Sequence, residues 1–582
     1  VFMDFKVIKN IILITKKYLS RIFIFISFTC FILGQNTYSL FYNVSDLEVN
    51  TLDPIYGNYY LEGLQVNELI YSRLWTWKSD LSEVPDLSLH VPRENKKIML
   101  LPPRGNSKDY RWRIQLKPGL MWPDGVPLTA DDILFTVDLY RADQTKLSTK
   151  DKFSIFKKVK KVDELTIDFF ISADNVSKSS YIFPLLRILP EHIIEIAALG
   201  KGHPFSSKPM GAGPFQYVPV ARREGNDKKK SNVVFERNNK YHRWSDESNI
   251  KYVKIKKEPL IQDVVQRIVN NKRAEDWSTL DIVSDIPKAR TPYNSIKIKG
   301  DAHLNFDPHN SNSWYGIAIN CENEILKNKN VRKALSYAFN VDRIIKDTYA
   351  SIPRAGVSEL VAKRINGPFN PMWGLGDNNL PVMPYDEDKA AELLDKAGLK
   401  KPKNKDYREF YHPSAGTKEK VSFRLLYNKG RFEDGSPETS IMRFFIKSMK
   451  NLGIDIEELA LDSKQYGIII QDSKKYDLVF EYNEFGWGSN IAPLFTQGNK
   501  MNISRFYDAY LTGFLNQFNS TTRSKERMKY ADEIHRYIYD NAPYIWMYRM
   551  DKIMAYRKEL KVKEVVPRYF FTHIADWYFN ID

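Results

Sequence analysis

The residues able to do chemistry are spread along the chain without the spacing of a catalytic motif. The nine histidines form no H-E-x-x-H motif and no close pair, and the chain has no G-x-S-x-G or phosphate-loop sequence. Nothing favours a Ser/His/Asp triad. Asp131 and Asp132 are better explained as the first turn of a helix, where negative charge is favoured, than as an acid–base pair. We therefore predict a binding protein rather than an enzyme, with no metal and no cofactor.

Composition and charge indicate a large folded protein. The chain has 582 residues, of which 43% are hydrophobic and 13% aromatic, and this suits several globular domains rather than a disordered chain. A net charge of +16 could attract nucleic acid or an anionic membrane. The basic residues are scattered, with only short runs such as Lys228-Lys229-Lys230, so nucleic acid is not an expected partner.

The N-terminal segment has the pattern of an export signal. Basic residues up to Arg21 precede an apolar run at 22–34, which is shorter than the ~20 residues of a membrane span. Residues 1–39 are therefore predicted to be a signal peptide. A lipoprotein attached through Cys30 and an uncleaved anchor are the alternatives. Cys321 would then be the one remaining thiol, and it is predicted to be buried and inert.

The elements that must position a site are clearest in residues 112–140. Trp112, Ile114 and Leu116 alternate with polar residues, which predicts a half-buried strand. Two turns follow, and Thr129 stands where a helix N-cap belongs. The segment is predicted to fold as strand, double turn and capped helix.

Many residues of this segment hold the fixed positions of a known pattern: Trp112, Ile114, Leu116, Lys117, Gly119, Trp122, Asp124, Gly125, Pro127, Thr129, Ala130, Asp131, Asp132 and Ile133. The segment resembles the signature of the family 5 extracellular solute-binding proteins, the peptide- and nickel-binding subunits of ABC importers. Residues 209–215, 330–343, 385–398, 476–480 and 542–545 resemble further family motifs. The resemblance covers almost the whole chain after the N-terminal segment.

The resemblance implies an α/β fold of the two-lobe periplasmic-binding-protein type, class II in its large three-subdomain form. Mixed β-sheets flanked by helices would enclose a ligand cleft between the lobes. Residues 40–58, 205–305 and 485–582 are expected to form the lobe I core, residues 59–204 its accessory subdomain, and residues 306–484 lobe II. The chain is expected to cross between lobes at 314–320 and 476–486. Gly211 and Gly213 are expected to allow a tight backbone crossing between lobes.

Seven residues are expected at the ligand, six from the resemblance and Glu484 from strand alternation: Asn58, Tyr60, Glu484, Gly486, Trp487, Gly488 and Asn490. Peptide-binding members carry an aspartate after their "GW" that holds the peptide's ammonium group, and Asn490 stands in its place here. Two accounts remain open. A nearby acid, Glu481 or Glu484, supplies the charge, or the ligand has no free ammonium. Strand alternation puts Glu484 on the side of Gly486 and Gly488, which favours Glu484.

The function implied by the resemblance is capture of oligopeptides by hinge closure and their delivery to an ABC permease in the inner membrane. The protein is expected to be a monomer in the periplasm or cell envelope. Another solute, such as a nickel chelate or an oligosaccharide, is the first alternative. A chaperone-like or adhesion role at the surface is the second.

Overall fold

The computed structural model describes residues 36–44, 52–54, 61–80, 82–91, 100–101, 103, 105, 109–142, 153–172, 175, 182–194, 204–258, 261–270, 272–285, 302–309, 312–349, 362–412, 416–432, 434–485, 490–521, 524–566 and 569–581. Most of the predicted signal segment, up to residue 35, lies outside these ranges. Within them, no helix combines the length and the apolar character that a membrane crossing requires.

The first lobe contains a four-stranded sheet that uses the first described strand. In spatial order its strands are Tyr38–Val44, Ile250–Lys257, Asn232–Arg237 and Phe215–Tyr217. Tyr38 and Ser39 already pair with Ile250 and Tyr252. The predicted boundary after residue 39 therefore cuts into a strand, and the folded protein begins at or before Tyr38.

The signature segment folds as strand, turns and capped helix, as predicted. In spatial order its antiparallel sheet comprises Leu100–Leu101, Tyr110–Gln115, Thr166–Ile171 and Phe156–Asp163. The helix Ala130–Arg141 starts with a capping box formed by Thr129 and Asp132, a feature that stabilises a helix by about 1 kcal/mol. Both sheets of the first lobe share one hydrophobic core, in which Trp122 is fully buried.

Gly211 and Gly213 cross the end of the helix Leu61–Ile70. The amide of Gly213 donates to the carbonyl oxygen of Ile70 over 2.7 Å. A Cβ atom on Gly211 would lie 2.3 Å from the same oxygen, so no side chain fits there. Ile70 and Ala212 belong to the core of the first lobe. The tight crossing is therefore real, but it lies within the first lobe and not between lobes.

The second lobe is organised on a six-stranded mixed sheet. In spatial order its strands are Ala362–Arg364, Tyr544–Met550, Ser313–Ile319, Leu478–Glu484, Ser422–Asn428 and Asp455–Leu461. Four helices cover one face: Lys329–Tyr337, Val341–Tyr349, Glu387–Lys396 and Pro437–Asn451. Three helices cover the other face: Ser463–Ile469, Ala509–Ser520 and Ser524–Asn541. The central strands are therefore buried on both sides, as their almost continuously apolar sequences require.

Two of these helices correct the expected division of the chain. Residues 485–582 were assigned to the first lobe. Leu511 and Leu515 in Ala509–Ser520, and Ile534 in Ser524–Asn541, pack instead in one core with Trp314 and Tyr544 of the six-stranded sheet. The chain stays in the second lobe until Met550, because these helices are needed to cover the sheet's second face.

The chain passes between the lobes where two long strands are interrupted. A three-stranded sheet is formed by Ile282–Val283, Lys552–Arg557 and Leu304–His309. It packs Ile282, Met554 and Tyr556 in the core of the first lobe, and Leu304, Ile553 and Ala555 in the same cluster as the six-stranded sheet. Leu304–His309 leads to Ser313–Ile319, and Tyr544–Met550 leads to Lys552–Arg557. The crossings are therefore at 309–313 and 550–552. The predicted crossings at 314–320 and 476–486 were wrong, because Ser313–Ile319 and Leu478–Glu484 pair with each other inside the second lobe.

The remaining elements are short. Within the described ranges, two further helices are Pro204–Ser207 and Ile261–Ile268. The 3-10 turns there occupy Phe183–Leu185, Val220–Arg222, Gly225–Lys228, Pro371–Trp373, Ser473–Lys475, Ala492–Leu494 and Ile574–Asp576. Two-stranded pairs are formed by Trp75–Trp77 with Glu83–Pro85, Glu409–His412 with Thr417–Lys420, and Leu560–Lys561 with Tyr578–Phe579.

Candidate functional site

Three tyrosines form a row across the central strands, next to the crossings. Tyr315 pairs in register with Tyr482 on one side and with Tyr548 on the other. The ring of Tyr315 lies 5.0 Å from each neighbouring ring, tilted against Tyr482 and stacked on Tyr548. Tyr548 is fully buried and Tyr315 is 8% exposed, both in the core of the second lobe, whereas Tyr482 is half-buried. Of the three rings, Tyr482 is therefore the one that can pack against a ligand.

A carboxylate is bonded to this row. The hydroxyl of Tyr315 donates to Oε1 of Glu438 over 3.2 Å. Glu438 stands in the first turn of Pro437–Asn451, whose N-cap is Ser436. The first turn of a helix favours a negative charge because the helix dipole is positive there. The half-buried groups of this cluster are therefore the ring of Tyr482 and the carboxylate of Glu438.

Glu484 is the last residue of the strand Leu478–Glu484 and follows Tyr482 on the same face of that strand. It pairs with Ser313, the first residue of the strand that follows the crossing. Its side chain is half-buried. Since side chains alternate along a strand, Glu484 shares its face with Tyr482 and with Phe480, which packs in the core on that side. The sequence-based choice of Glu484 therefore falls beside the tyrosine row.

Asn312 fixes the backbone that follows Glu484. It adopts a left-handed conformation with φ of +56°, which asparagine tolerates better than most residues. Its carbonyl oxygen accepts from the Phe485 amide over 3.0 Å, and its Nδ2 donates to the Phe485 carbonyl over 2.9 Å. Asn370 donates in turn to its Oδ1 over 2.9 Å. These hydrogen bonds hold Phe485 against the crossing at 309–313.

Glu481 faces the opposite side of the sheet. It pairs with Gly316 and is only 6% exposed. Burial raises its pKa to about 8, against a smaller lowering by Arg431. Its Oε2 has no hydrogen-bond partner among the described residues. Of the two acids that the sequence left open, Glu481 is therefore enclosed in the second lobe, whereas Glu484 is the one beside the tyrosine row.

Asn490 takes part in the local turn. Its Oδ1 accepts from the Ala492 amide over 3.3 Å, at the start of the 3-10 turn Ala492–Leu494. This contact stabilises the chain as it enters the second lobe's outer layer. The other predicted site residues, Asn58, Tyr60, Gly486, Trp487 and Gly488, lie outside the described residues.

The first lobe contributes a polar cluster near the crossings. The Tyr42 hydroxyl donates to the Ser284 hydroxyl over 2.7 Å, and Nε2 of His309 lies 2.8 Å from the Ser284 carbonyl oxygen. Lys552 lies 3.7 Å from a carboxylate oxygen of Asp285. These groups place hydroxyl, imidazole and charged side chains on the first-lobe side of the crossings.

Sequence reasoning missed the tyrosine row, Glu438 and Asn312. Tyr315 and Tyr482 stand in strand-like runs and could have been nominated as aromatic residues flanking a crossing. Their alignment across strands cannot be read from spacing along the chain. No sequence signal marked Glu438 as the partner of Tyr315.

No group of three or more His, Cys, Asp or Glu side chains within the described ranges could hold a metal ion. The Cys321 thiol donates to the Ile319 carbonyl oxygen over 3.4 Å, and burial raises its pKa to about 11. A thiol with that pKa is almost fully protonated at neutral pH, as expected of an inert cysteine.

Comparison with known proteins places the chain in a family. Residues 104–502 match the profile of the bacterial extracellular solute-binding proteins, family 5. The oligopeptide-binding protein AppA of Bacillus subtilis is 23% identical, with 80% of each chain covered. The glutathione-binding protein GsiB of Pectobacterium atrosepticum is 21% identical, covering 80% of this chain and 82% of its own.

Solved structures share the fold. The substrate-binding protein CtaP of Listeria monocytogenes superposes with a TM-score of 0.73 at 20% identity, covering 94% of this chain and all of its own. NikZ of Campylobacter jejuni, solved with Ni(L-His), gives 0.65 at 19% identity with the same coverage. The chain therefore belongs to the family 5 bacterial extracellular solute-binding proteins, which are substrate-binding components of ABC transporters and not enzymes.

Proposed function

We propose that this protein captures oligopeptides between its two lobes and delivers them to an ABC permease in the inner membrane. The observation that carries the proposal is the pair of crossings at 309–313 and 550–552, with the tyrosine row and Glu484 immediately beside them. Two short connections between lobes built on different sheets form a hinge, and closure about a hinge buries a ligand placed next to it.

The chemistry beside the crossings suits a peptide. The half-buried ring of Tyr482 can pack against varied side chains, while Glu438 and Glu484 can accept hydrogen bonds from amide or ammonium groups. AppA of Bacillus subtilis, which shares this fold, was solved in complex with a nonapeptide. Among the relatives, AppA and the dipeptide-binding protein of Escherichia coli carry peptide binding in their names.

Within this site, we assign Glu484 to the ammonium group of the peptide. The position three residues after Trp487, where peptide-binding members carry an aspartate, holds the neutral Asn490. A carboxylate must therefore come from elsewhere if the ligand has a free amine. Glu481 faces away and is enclosed. Glu484 lies on the face of the tyrosine row and is half-buried. A half-buried carboxylate can bind an ammonium group without the full cost of burying an isolated charge.

Ligand identification tests the proposal directly. Protein purified under native conditions is analysed by native mass spectrometry. The mass of any bound molecule is measured, and the molecule is then identified by fragmentation. Peptides of varied sequence are the expected result. A nickel chelate, an oligosaccharide or another non-peptide solute would contradict the peptide assignment while leaving the solute-binding family intact. Calorimetry with the identified peptide then gives its affinity.

A further inference from the structure

A two-stranded hairpin on the second lobe has two chemically different faces. Glu409–His412 pairs with Thr417–Lys420, with Tyr411 opposite Lys418. Phe410 packs against the core beneath, and Nε2 of His412 lies 2.9 Å from Glu324. Tyr411, Lys418 and Lys420 alternate with these residues and occupy the outer face, because successive side chains of a strand point to opposite sides.

The hairpin and the segment before it are strongly basic. Residues 396–420 contain eight Lys or Arg and three Asp or Glu, a net charge of +5. Lys405 pairs with Glu409, and Lys420 lies 3.1 Å from Asp455. The exposed residues Lys401, Lys403 and Lys418 form no ion pair with any residue that the structure describes. Unlike the chain as a whole, this surface concentrates its positive charge.

Aromatic rings stand among these lysines. Tyr411 is 54% exposed although it lies on a strand. The ring of Tyr407 lies beneath two ammonium groups, 5.0 Å from Lys405 and 5.5 Å from Lys420. A tyrosine side chain favours the headgroup layer of a membrane because it has an apolar ring and a polar hydroxyl. Clustered lysines are attracted to anionic lipids.

We propose that the lysine-rich face of residues 400–412 and 416–420 binds the surface of an anionic phospholipid bilayer. Members of this family are extracytoplasmic, so a membrane surface is the extended array of phosphates that such a face meets. A nucleic acid would need a groove or a stacking platform, whereas this face is a short two-stranded hairpin. The contact would hold the second lobe at the membrane whatever solute the protein carries.

The test measures hydrogen–deuterium exchange of the full chain with vesicles. Vesicles of 70% phosphatidylcholine and 30% phosphatidylglycerol should slow exchange in peptides covering 400–420, while pure phosphatidylcholine vesicles should not. Exchange is measured peptide by peptide, so lipid contacts made elsewhere on the chain do not change the exchange measured for 400–420. Duplex DNA at equal phosphate concentration is the competing probe, and equal protection by DNA would overturn the lipid assignment.

Charge reversal supplies the matched comparison. The variant Lys401→Glu, Lys403→Glu, Lys418→Glu should need more than about 100-fold more anionic lipid for the same protection. Removing three lysines alone gives that factor, at about 1 kcal/mol per lysine and 1.4 kcal/mol per factor of ten, and the added glutamates are repelled by the lipid. The control is Lys228→Glu, Lys229→Glu, Lys230→Glu, which changes the total charge equally on an exposed turn of the first lobe. Equal effects of the two variants, or none from the hairpin variant, would refute the proposal.

Discussion

The buried Glu481 should make the stability of the second lobe depend on pH. Burial raises its pKa from 4.5 to about 8. Between these values the folded protein holds a proton on this carboxyl and the unfolded chain does not. The stability that Glu481 contributes is therefore complete below about pH 4.5 and is lost as pH rises toward 8. At 1.36 kcal/mol for each unit of pKa, the whole change is about 5 kcal/mol.

Glu481→Gln replaces the carboxyl with a neutral group of nearly the same shape. The free energy of unfolding of the variant should lack this dependence on pH. At pH 5 the variant should be equal to the parent or less stable by about 1–3 kcal/mol, because the new amide brings donors into a space without partners. At pH 8.5 the variant should be the more stable protein by several kcal/mol.

Other ionisable groups sit close to Glu481 and stay the same in both proteins. Arg431 lowers its pKa, while Tyr466, Tyr476 and Tyr544 are close enough for its charge to raise theirs. All three tyrosines titrate above pH 8.5, so they do not contribute to the slope in the measured range.

Urea unfolding followed by circular dichroism at pH 5, 6.5 and 8.5 measures the effect, and the difference between variant and parent cancels the contributions of all other groups. Glu457→Gln, at an exposed position on the edge strand Asp455–Leu461 of the same sheet, is the control for removing a carboxylate. Parallel pH profiles for Glu481→Gln and the parent would refute the buried-proton account.

Three further predictions concern export and binding. Glu484→Gln should weaken binding of a free-amine peptide roughly tenfold, as expected when a charge-assisted hydrogen bond becomes a neutral one. Binding of the N-acetylated peptide should not change, and calorimetry showing equal losses for both peptides would contradict the ammonium role. Trp487→Phe should abolish most of the fluorescence response to ligand without loss of helical signal in circular dichroism, whereas a full response in the variant would place the reporter elsewhere. N-terminal sequencing of the exported protein should find a start at or before Tyr38, and an intact Met3 on a protein retained in the cytoplasm would contradict export.

The sequence predicted best where local chemistry decides the structure. The capping box of Thr129 and Asp132 and the half-buried strand before it follow from residues within a few positions of each other. The family and its fold followed from the fixed spacing of the signature residues. Alternation along one strand also separated Glu481 from Glu484 correctly, because a strand's two faces depend only on its own residues.

The sequence failed where distant segments meet. The tyrosine row joins positions 315, 482 and 548, and its register is fixed by strand pairing that local patterns do not encode. The helices Ala509–Ser520 and Ser524–Asn541 are amphipathic and could have covered either lobe. They cover the second lobe because its six-stranded sheet has two apolar faces to bury. The positions of the crossings were also predicted wrongly. A strand buried inside one lobe and a strand that leads from one lobe to the other have similar apolar sequences.

Closure of the two lobes on a peptide is the central claim, and small-angle X-ray scattering tests it most directly. The protein is measured alone and after saturation with the peptide identified by native mass spectrometry, with occupancy verified on the same samples. A smaller radius of gyration in the loaded sample is the predicted result, because rotation about 309–313 and 550–552 brings the lobes together. An unchanged radius of gyration at full occupancy would contradict the account.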